Sequence, residues 1–355
     1  MVTPCNTGAN CHDAHVDGSG AEDFVMNVAQ RMAGRFKRTK SADFWKSGRD
    51  RIALGVVARA TLKNMVPDRI VLRRRPRKVY GQMGGLEVRL AESRADIKRA
   101  QRLRYQVFYE EMDASPSITA MMRRLDEDPY DPICDHLLVT DLAAQSAAKP
   151  WTTNSNPKVV GTYRLLRQEM AERGRGFYTQ GEYDIAPLIA RQPKGTRFLE
   201  LGRSCVLEPY RTKRTVELLW HGLWTYIREN KIDVMIGCAS FEGTDPQAHA
   251  MALSLLHHQS MAPPEWRCCA QPHLYQAMDL IPKDKLDLKA ALKAMPPLIK
   301  GYMRLGAFFG DGAVIDHQFG TTDVLVVLPV ASINPRYFGH FGAPDELKSR
   351  VALDA

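Results

Sequence analysis

The chain has 355 residues, enough for one large domain or two modest ones, and its 45% apolar content is sufficient for a sizeable core. Its seven cysteines are an odd number at no regular spacing, which excludes a disulfide framework and favours free thiols in a reducing compartment. The N-terminal residues are polar, and no apolar run approaches the ~18 residues of a membrane span, so we expect neither a signal peptide nor a transmembrane helix.

The net charge of +9 is unevenly distributed along the chain. Residues 31–78 contain 16 Lys and Arg but only 3 Asp and Glu, so the remainder is slightly acidic. A basic segment of this kind suits an anionic partner, which could be a membrane surface, an acidic protein or a nucleic acid.

The N-terminal quarter of the chain is predicted to stand apart from the folded body. Residues 1–20 are small and polar and are predicted to be a disordered tail, and residues 21–84 to be a basic helical extension and linker. In that extension Phe24, Val28 and Met32 recur at helical spacing among basic residues. Two alternatives stay open: the helices lie on an anionic membrane, or they form a hairpin that packs on the body.

The body is predicted to be one α/β domain over residues 85–345. Alternating or continuous apolar stretches predict strands at 86–90, 136–141, 159–166, 198–207, 234–241 and 321–330, and helical spacing predicts helices at 93–108, 214–229 and 245–258. The proline-rich segment 262–300 is predicted to be irregular. This order predicts a mixed sheet with helices on its faces.

The strand at 198–207 carries a pair of charged residues in an apolar setting. Glu200 and Arg203 differ by three positions, so in a regular strand they would face opposite sides of the sheet. Gly202 permits a bulge that would bring them to one side. A buried carboxylate near a cationic turn is a candidate general base, with a structural ion pair as the alternative.

Arg104 lies among apolar positions of the first predicted helix, so its charge is expected to be buried and paired. The next loop offers acidic partners, including Asp128 and Asp131. These residues are either parts of a structural Arg–Asp bridge or the lining of a pocket for a cationic substrate. Arg164, in the strand 159–166, is likewise a paired arginine or a site residue.

The turn after the predicted strand 198–207 is basic and precedes a helix, where free N–H groups and the helix dipole favour an anion. It contains Arg211, Lys213 and Arg214 but no glycine, which makes it a poor clamp for a diphosphate. One phosphate and an acidic protein suit it better. The chain has no P-loop, no Gly-x-Ser-x-Gly and no His-Glu-x-x-His motif.

Several segments together resemble a known family. RLRYQVFYEEM (102–112), DPYD (128–131), VVGTYRLL (159–166) and LELGRSCV (199–206) resemble the acyl-homoserine-lactone synthase branch of the GNAT N-acyltransferase fold. The segment 296–341 resembles the L-ornithine N-alpha-acyltransferases of bacterial ornithine-lipid synthesis. The similarity covers roughly residues 85–341.

The resemblance implies a GNAT-like, mostly antiparallel twisted sheet and a specific reaction. That reaction transfers a 3-hydroxyacyl group from acyl carrier protein to the α-amine of L-ornithine, giving lyso-ornithine lipid. It needs no cofactor or metal, because the donor carries its own phosphopantetheine. The implied location is cytoplasmic, peripheral on the anionic inner-membrane surface, with no nucleic-acid partner.

The resemblance also assigns site residues. Glu200 and Arg203 are implied as catalytic, and the implied substrate-binding residues are Arg104, Phe108, Asp128, Asp131 and Arg164. Two aspartates would hold ammonium groups, Arg104 or Arg164 the carboxylate, and a backbone N–H of Cys205 or Val206 the oxyanion. Arg211, Lys213 and Arg214 would bind the carrier and its phosphopantetheine.

Two other functions remain open from sequence. One is an N-acyltransferase of the same fold that acts on glycine, lysine or S-adenosylmethionine. The other is a non-catalytic basic protein that binds membrane surfaces or nucleic acid through residues 31–78.

Overall fold

A computed structural model describes residues 78–146 and 157–333. The predicted disordered tail, nearly all of the basic extension and the last part of the predicted body lie outside the described residues. Within them, the prediction of a mixed α/β sheet flanked by helices is confirmed.

Ten strands form the sheet, in the spatial order β1-β2-β3-β4-β6-β7-β10-β9-β8-β5. Their bounds are β1 Val79–Met83, β2 Leu86–Leu90, β3 Asp135–Asp141, β4 Lys158–Arg167, β5 Tyr183–Asp184, β6 Phe198–Val206, β7 Val234–Glu242, β8 Cys269–Ala270, β9 Phe308–Asp316 and β10 Thr321–Pro329. Neighbours are antiparallel except for β6 with β7 and β8 with β9. The mostly antiparallel sheet is therefore as expected.

The sheet begins earlier than predicted. β1 lies inside the range 21–84 that was assigned to extension and linker, yet it pairs with β2 from Val79 to Met83. The turn between them contains Gly84 in a left-handed conformation (φ 61°), which a glycine adopts without steric cost. The folded body therefore starts near Val79 instead of Gly85.

Nine α-helices lie in the described ranges 78–146 and 157–333. Their bounds are α1 Arg94–Tyr105, α2 Ile118–Arg123, α3 Leu142–Ser146, α4 Gln168–Arg173, α5 Ala186–Arg191, α6 Lys213–Glu229, α7 Ala250–Ser260, α8 Leu288–Ala294 and α9 Pro297–Leu305. The long helix α6 packs on β1 to β4 and covers the main core. Gly222 makes this packing possible, because a Cβ there would lie 2.5 Å from the Val88 side chain.

Helix α1 begins as the sequence predicts. The Ser93 hydroxyl accepts the Asp96 N–H at 3.2 Å and caps its first turn. The helix continues as a π-helix over Gln106–Glu111. Such π-helical turns are rare in proteins overall but are often found at functional sites. This extension carries Phe108 to the wall of a cavity.

The segment predicted to be irregular, 262–300, contains α8 and the start of α9. Helix α9 has Pro297 in its first turn and ends at Gly306, which is left-handed (φ 90°). Both are ordinary helix boundary signals, so the proline-rich composition was misleading here. Strand β9 was also missed, because Gly310 and Gly312 interrupt its apolar pattern.

Candidate active site

The main cavity opens where two neighbouring strands separate. β6 and β7 are parallel and pair only from Phe198 to Glu200 with Val234 to Ile236. Beyond these pairs, residues of both strands line a cavity of about 410 Å³. Gly237 lies at the point of closest approach, since a Cβ there would be 2.4 Å from the Leu201 carbonyl oxygen.

A bulge in β6 places Glu200 and Arg203 in the same cavity. Pairing with β4 shifts between Thr162↔Cys205 and Arg164↔Gly202, so β6 contains one extra residue there. Arg203 has the left-handed conformation (φ 52°), which is uncommon for a residue with a side chain. The predicted bulge is confirmed, with Arg203 rather than Gly202 in the unusual conformation.

Glu200 is buried at the cavity wall and holds a neighbouring turn. Its Oε1 accepts the Thr179 N–H at 2.6 Å and the Thr179 hydroxyl, and its Oε2 accepts the Tyr178 N–H at 2.8 Å. Burial raises the pKa of Glu200, although these hydrogen bonds act in the opposite direction. Oε2 keeps one acceptor site, so the carboxylate can still bind a proton donor from the cavity.

Arg104 is fully buried and does not line the cavity. Its Nε donates to Asp126 Oδ2 at 2.7 Å, and its Nη2 donates to both oxygens of Asp131 at 2.8 and 3.0 Å. These carboxylates keep the Arg104 guanidinium charged and raise its pKa despite burial, and its proximity holds the pKa of Asp131 near 2. The structure favours the Arg–Asp bridge over a substrate role for Arg104 and Asp131.

Asp128 is also engaged within the protein. Its Oδ1 accepts the Tyr130 N–H at 2.8 Å, and its Oδ2 pairs with Arg164. Neither Asp128 nor Asp131 is among the cavity-lining residues, so a role in holding substrate ammonium groups is not supported by their placement. Their position fits the support of Arg164, which does line the cavity.

Arg203 is the cavity arginine with the loosest internal contacts. Its nearest carboxylate oxygens are Asp126 Oδ2 at 3.5 Å and Asp128 Oδ2 at 3.6 Å. Its guanidinium lies over the rings of Tyr178 and Phe319, at 5.0 and 4.6 Å from their centroids. Stacking fixes its plane and leaves donors for a ligand, whereas Arg104 and Arg164 are held by close carboxylates.

Phe319 belongs to the β9–β10 turn, which covers one side of the cavity. It packs edge-on against Phe108, with centroids 5.6 Å apart. The Gln318 carbonyl accepts the Ser115 N–H at 2.8 Å and ties the turn to the segment after the π-helix. Phe108, predicted from the sequence, is thus part of the apolar wall.

Among the cavity residues that were not predicted from the sequence, three acids lie together: Glu182, Asp316 and Asp323. One carboxylate oxygen of each lies within 4.8 Å of the others. They come from a 3-10 turn and from two strands more than a hundred residues further along the chain, so only the fold brings them together. A signal was available for Asp323, since it is an acid in the otherwise apolar strand TTDVLVVLPV (321–330).

The two backbone groups predicted for an oxyanion differ in direction. The Leu207 N–H donates to the Val160 carbonyl of the neighbouring chain segment at 2.9 Å. Because N–H groups alternate between the two edges of a strand, the Val206 N–H points away from β4 and toward the cavity. The Cys205 N–H points toward β4. Burial raises the pKa of the Cys205 thiol to about 12, which disfavours a nucleophilic thiolate.

The three basic residues after β6 separate into two groups. Arg211 lines the cavity, where its Nε donates to the Val206 carbonyl at 2.9 Å and its guanidinium pairs with Glu111. Lys213 and Arg214 instead line a shallow surface depression at the start of α6. Thr212 caps this helix by accepting the Thr215 N–H. The three residues predicted to bind the carrier therefore do not share one surface: Arg211 lies in the cavity, and Lys213 and Arg214 lie in the depression.

Comparison with known proteins identifies the class of protein to which the chain belongs. A family model described as an acetyltransferase (GNAT) domain matches residues 103–221, which run from the end of α1 into α6. The match and the mixed sheet define the protein as a GNAT-fold acyltransferase. A solved structure, FeeM, an N-acyl amino acid synthase from uncultured soil microbes, is 12% identical with a TM-score of 0.38, covering 69% of this chain and 91% of its own.

Sequence relatives are much closer. The L-ornithine N(alpha)-acyltransferase of Agrobacterium fabrum strain C58 is 56% identical over 268 residues, which is 76% of this chain and 89% of the relative. The enzyme of the same name from Brucella abortus strain 2308 is 53% identical over 265 residues, which is 75% of this chain and 92% of the relative. The chain belongs to the L-ornithine N(alpha)-acyltransferase family.

Proposed function

We propose that the protein transfers a 3-hydroxyacyl group from acyl carrier protein to the α-amine of L-ornithine, forming lyso-ornithine lipid. The observation that carries this proposal is the cavity between β6 and β7, which offers one loosely paired arginine and a cluster of three carboxylates to an amino acid with two ammonium groups. The relatives' name, at 41–56% identity, supports the same acceptor.

The acceptor's carboxylate is assigned to Arg203. A guanidinium binds a carboxylate through two parallel hydrogen bonds when its donors are available. Arg203 has only long contacts of 3.5 and 3.6 Å to aspartates, whereas Arg104 donates to its aspartates at 2.7 to 3.0 Å. This assignment replaces Arg104 and Arg164, which the resemblance implied for the carboxylate.

The chemical step is a direct attack of the α-amine on the thioester carbon. Glu200 takes the proton from the amine, directly or through one water, at the free acceptor site of Oε2. The Val206 N–H stabilises the oxygen that becomes negative in the tetrahedral intermediate. The C–S bond then breaks, and the phosphopantetheine leaves as a thiol after taking up a proton.

The donor is assigned to acyl carrier protein, with its phosphopantetheine phosphate at the start of α6. The first N–H groups of a helix have no partner within the helix and attract anions. Lys213 and Arg214 flank this point, and Arg214 is exposed. Acyl carrier proteins are acidic, so the same two side chains can contact the carrier itself.

Binding at an anionic inner-membrane surface is part of this proposal, as expected for an enzyme whose product is an amphiphile. The exposed apolar side chains Met112, Ile118, Met121 and Met122 are 42 to 81% exposed, and Met112 also lines the cavity. This surface offers the acyl chain a route toward lipid. In the described ranges, no helix is long and apolar enough to cross a membrane. Nucleic acid is not a proposed partner.

The test is thiol release from 3-hydroxyacyl-carrier protein by the full chain, with ornithine, lysine, glycine, S-adenosylmethionine or no amine present. We expect release that depends on ornithine, with the same acyl group on coenzyme A as a much poorer donor. 1,4-Diaminobutane, which lacks a carboxylate, should also be poor. Release with glycine or S-adenosylmethionine instead would identify another N-acyltransferase, and release with no amine would contradict the proposal.

A further inference from the structure

The carboxylates of Glu182, Asp316 and Asp323 form a cluster that attracts the charge of Arg203 but is not paired with it. Each lines the cavity, and their oxygens lie within 4.8 Å of one another. No Lys, Arg or His among residues 78–146 and 157–333 forms an ion pair with any of them. Three unpaired acids in one place are costly unless one of them is protonated or a cation arrives from outside the chain.

Individual carboxylate oxygens of the cluster also lack hydrogen-bond partners. Asp323 is only 6% exposed, yet its Oδ1 has no hydrogen-bond partner. The Oε2 of Glu182 is also buried without a partner. Asp316 differs, because its Oδ1 accepts the N–H groups of Gln318 and Phe319 at 2.7 and 2.9 Å and is thereby held in place. Buried polar atoms are nearly always satisfied, so these two vacant acceptors indicate a ligand with donors.

The electrostatics of the cluster favour a cationic ligand. Burial and the charges of Asp323 and Asp316 raise the pKa of Glu182 to about 7. Burial raises the pKa of Asp323 as well, and repulsion by Asp316 adds to this, although the hydroxyl groups of Ser240 and Thr321 and the charge of Arg203 act in the opposite direction. Arg203 lies nearby but stacks between Tyr178 and Phe319 without reaching hydrogen-bond distance of the cluster.

We propose that Glu182, Asp316 and Asp323 bind the side-chain ammonium group of the acceptor amino acid. This inference rests on the proposed function and adds a subsite to it. A primary ammonium group has three donors, which match three converging carboxylates. Four other acids in or beside the cavity are engaged: Asp126 and Asp131 by Arg104, Asp128 by Arg164, and Glu200 by Tyr178 and Thr179. Glu242 also lines the cavity but is exposed to solvent.

The subsite also explains a choice between two amines. An ammonium held by three carboxylates stays protonated and cannot attack a thioester. The amine at the other end of the acceptor, beside the carboxylate that Arg203 binds, is left to lose its proton and react. Acylation at the α-nitrogen is therefore a consequence of where the charges of the cavity lie.

The experiment compares ornithine with norvaline, which has the same carbon chain but no side-chain amine. Both acceptors are tested with the wild-type chain, Asp323→Asn, Glu182→Gln and the control Asp311→Asn, which changes an acid on β9 outside the cavity. We expect each subsite variant to lose about 10- to 100-fold in kcat/KM for ornithine, as for one charge-assisted hydrogen bond, with norvaline unchanged. The control should leave both values unchanged.

An unchanged ratio of ornithine to norvaline in both folded variants would overturn the subsite while leaving the proposed function intact. If the wild-type chain acylated no amine, the proposed function itself would fail. If a chelator abolished wild-type activity and Mg²⁺ or Ca²⁺ restored it, the cluster would hold a metal ion and the ammonium assignment would be wrong. Should one variant fail to fold, the other gives the same readout.

Discussion

Glu200 and Arg203 lie three residues apart on one strand, where their side chains would normally point to opposite faces of the sheet, yet both line the same cavity. The cause is the bulge in β6, where Arg203 is left-handed (φ 52°) and the register with β4 shifts by one residue. The bulge also turns the Val206 N–H and the Arg203 guanidinium toward the opening between β6 and β7. One local distortion thus assembles the proposed base, oxyanion donor and carboxylate-binding group.

Replacing Glu200 by Gln should reduce both stability and turnover. The amide NH₂ would face an N–H or hydroxyl donor of Tyr178 or Thr179, at a cost of about 1–3 kcal/mol in the free energy of unfolding. Thr179→Val removes only the hydroxyl donor and is the matched control for this loss. The pH profile of kcat separates the roles: the acidic limb should vanish in Glu200→Gln and persist in Thr179→Val. If the acidic limb persisted in both variants, Glu200 would not be the general base.

Replacing Arg104 by Met should destabilise the fold strongly. It would leave the buried carboxylates of Asp126 and Asp131 without their main counter-charge, which typically costs about 3–5 kcal/mol. Arg123→Met breaks the exposed pair with Glu127, and about 0–1 kcal/mol is expected there. Urea unfolding measures both variants. A similar small loss in both would show that the Arg104 bridge contributes little.

The raised pKa of Glu182, about 7, predicts how stability depends on pH. Its neighbours in the cavity are Asp323, Asp316, Cys238 and Arg203. Because the native state holds this proton more tightly, the stability contribution is complete below about pH 4.5 and is lost as pH rises to about 7.

Glu182→Gln should therefore raise the free energy of unfolding at pH 8 by about 2–3 kcal/mol and have little effect at pH 4.5. Urea unfolding across this pH range measures the difference, and Glu127→Gln, at an exposed glutamate, is the control. A gain that is the same at both pH values would argue against an ionised, unpartnered Glu182.

Charge reversal at Lys213 and Arg214 should weaken the interaction with acyl carrier protein. Both residues line the depression at the start of α6, so the double Glu variant should raise KM for the carrier about 10-fold or more and leave KM for ornithine unchanged. The exposed Lys289 and Lys293 on α8, changed together to Glu, provide the control. An unaltered carrier KM in steady-state assays would place the carrier elsewhere.

The sheet and the long helices were predictable because their apolar periodicity is strong. Strand β10 and helix α6 begin and end within one residue of the predicted bounds. Strand β9 was not predictable in the same way, because glycines at 310 and 312 break its pattern. The start of the body was also misplaced, since the apolar residues of Val79–Met83 do not alternate and Gly81 interrupts them.

The candidate site was partly predictable for a similar reason. The charged residues Glu200 and Arg164 interrupt apolar strands, which is visible in the sequence. Which acids meet which arginines depends on side-chain reach across the fold, so the sequence left open whether Asp128 and Asp131 line a substrate pocket or pair with arginines. In the structure they pair with Arg164 and Arg104. Glu182 and Asp316 carry no local signal at all.

The position of the acyl group on the product is the decisive test of which ornithine amine reacts in the cavity. The full chain is incubated with 3-hydroxyacyl-carrier protein and ornithine that is ¹⁵N-labelled only at the α-nitrogen, and the product is fragmented in a mass spectrometer. We expect the acyl-bearing fragment to contain ¹⁵N, because the cluster of Glu182, Asp316 and Asp323 holds the other amine. An acyl group on the unlabelled side-chain nitrogen would contradict it.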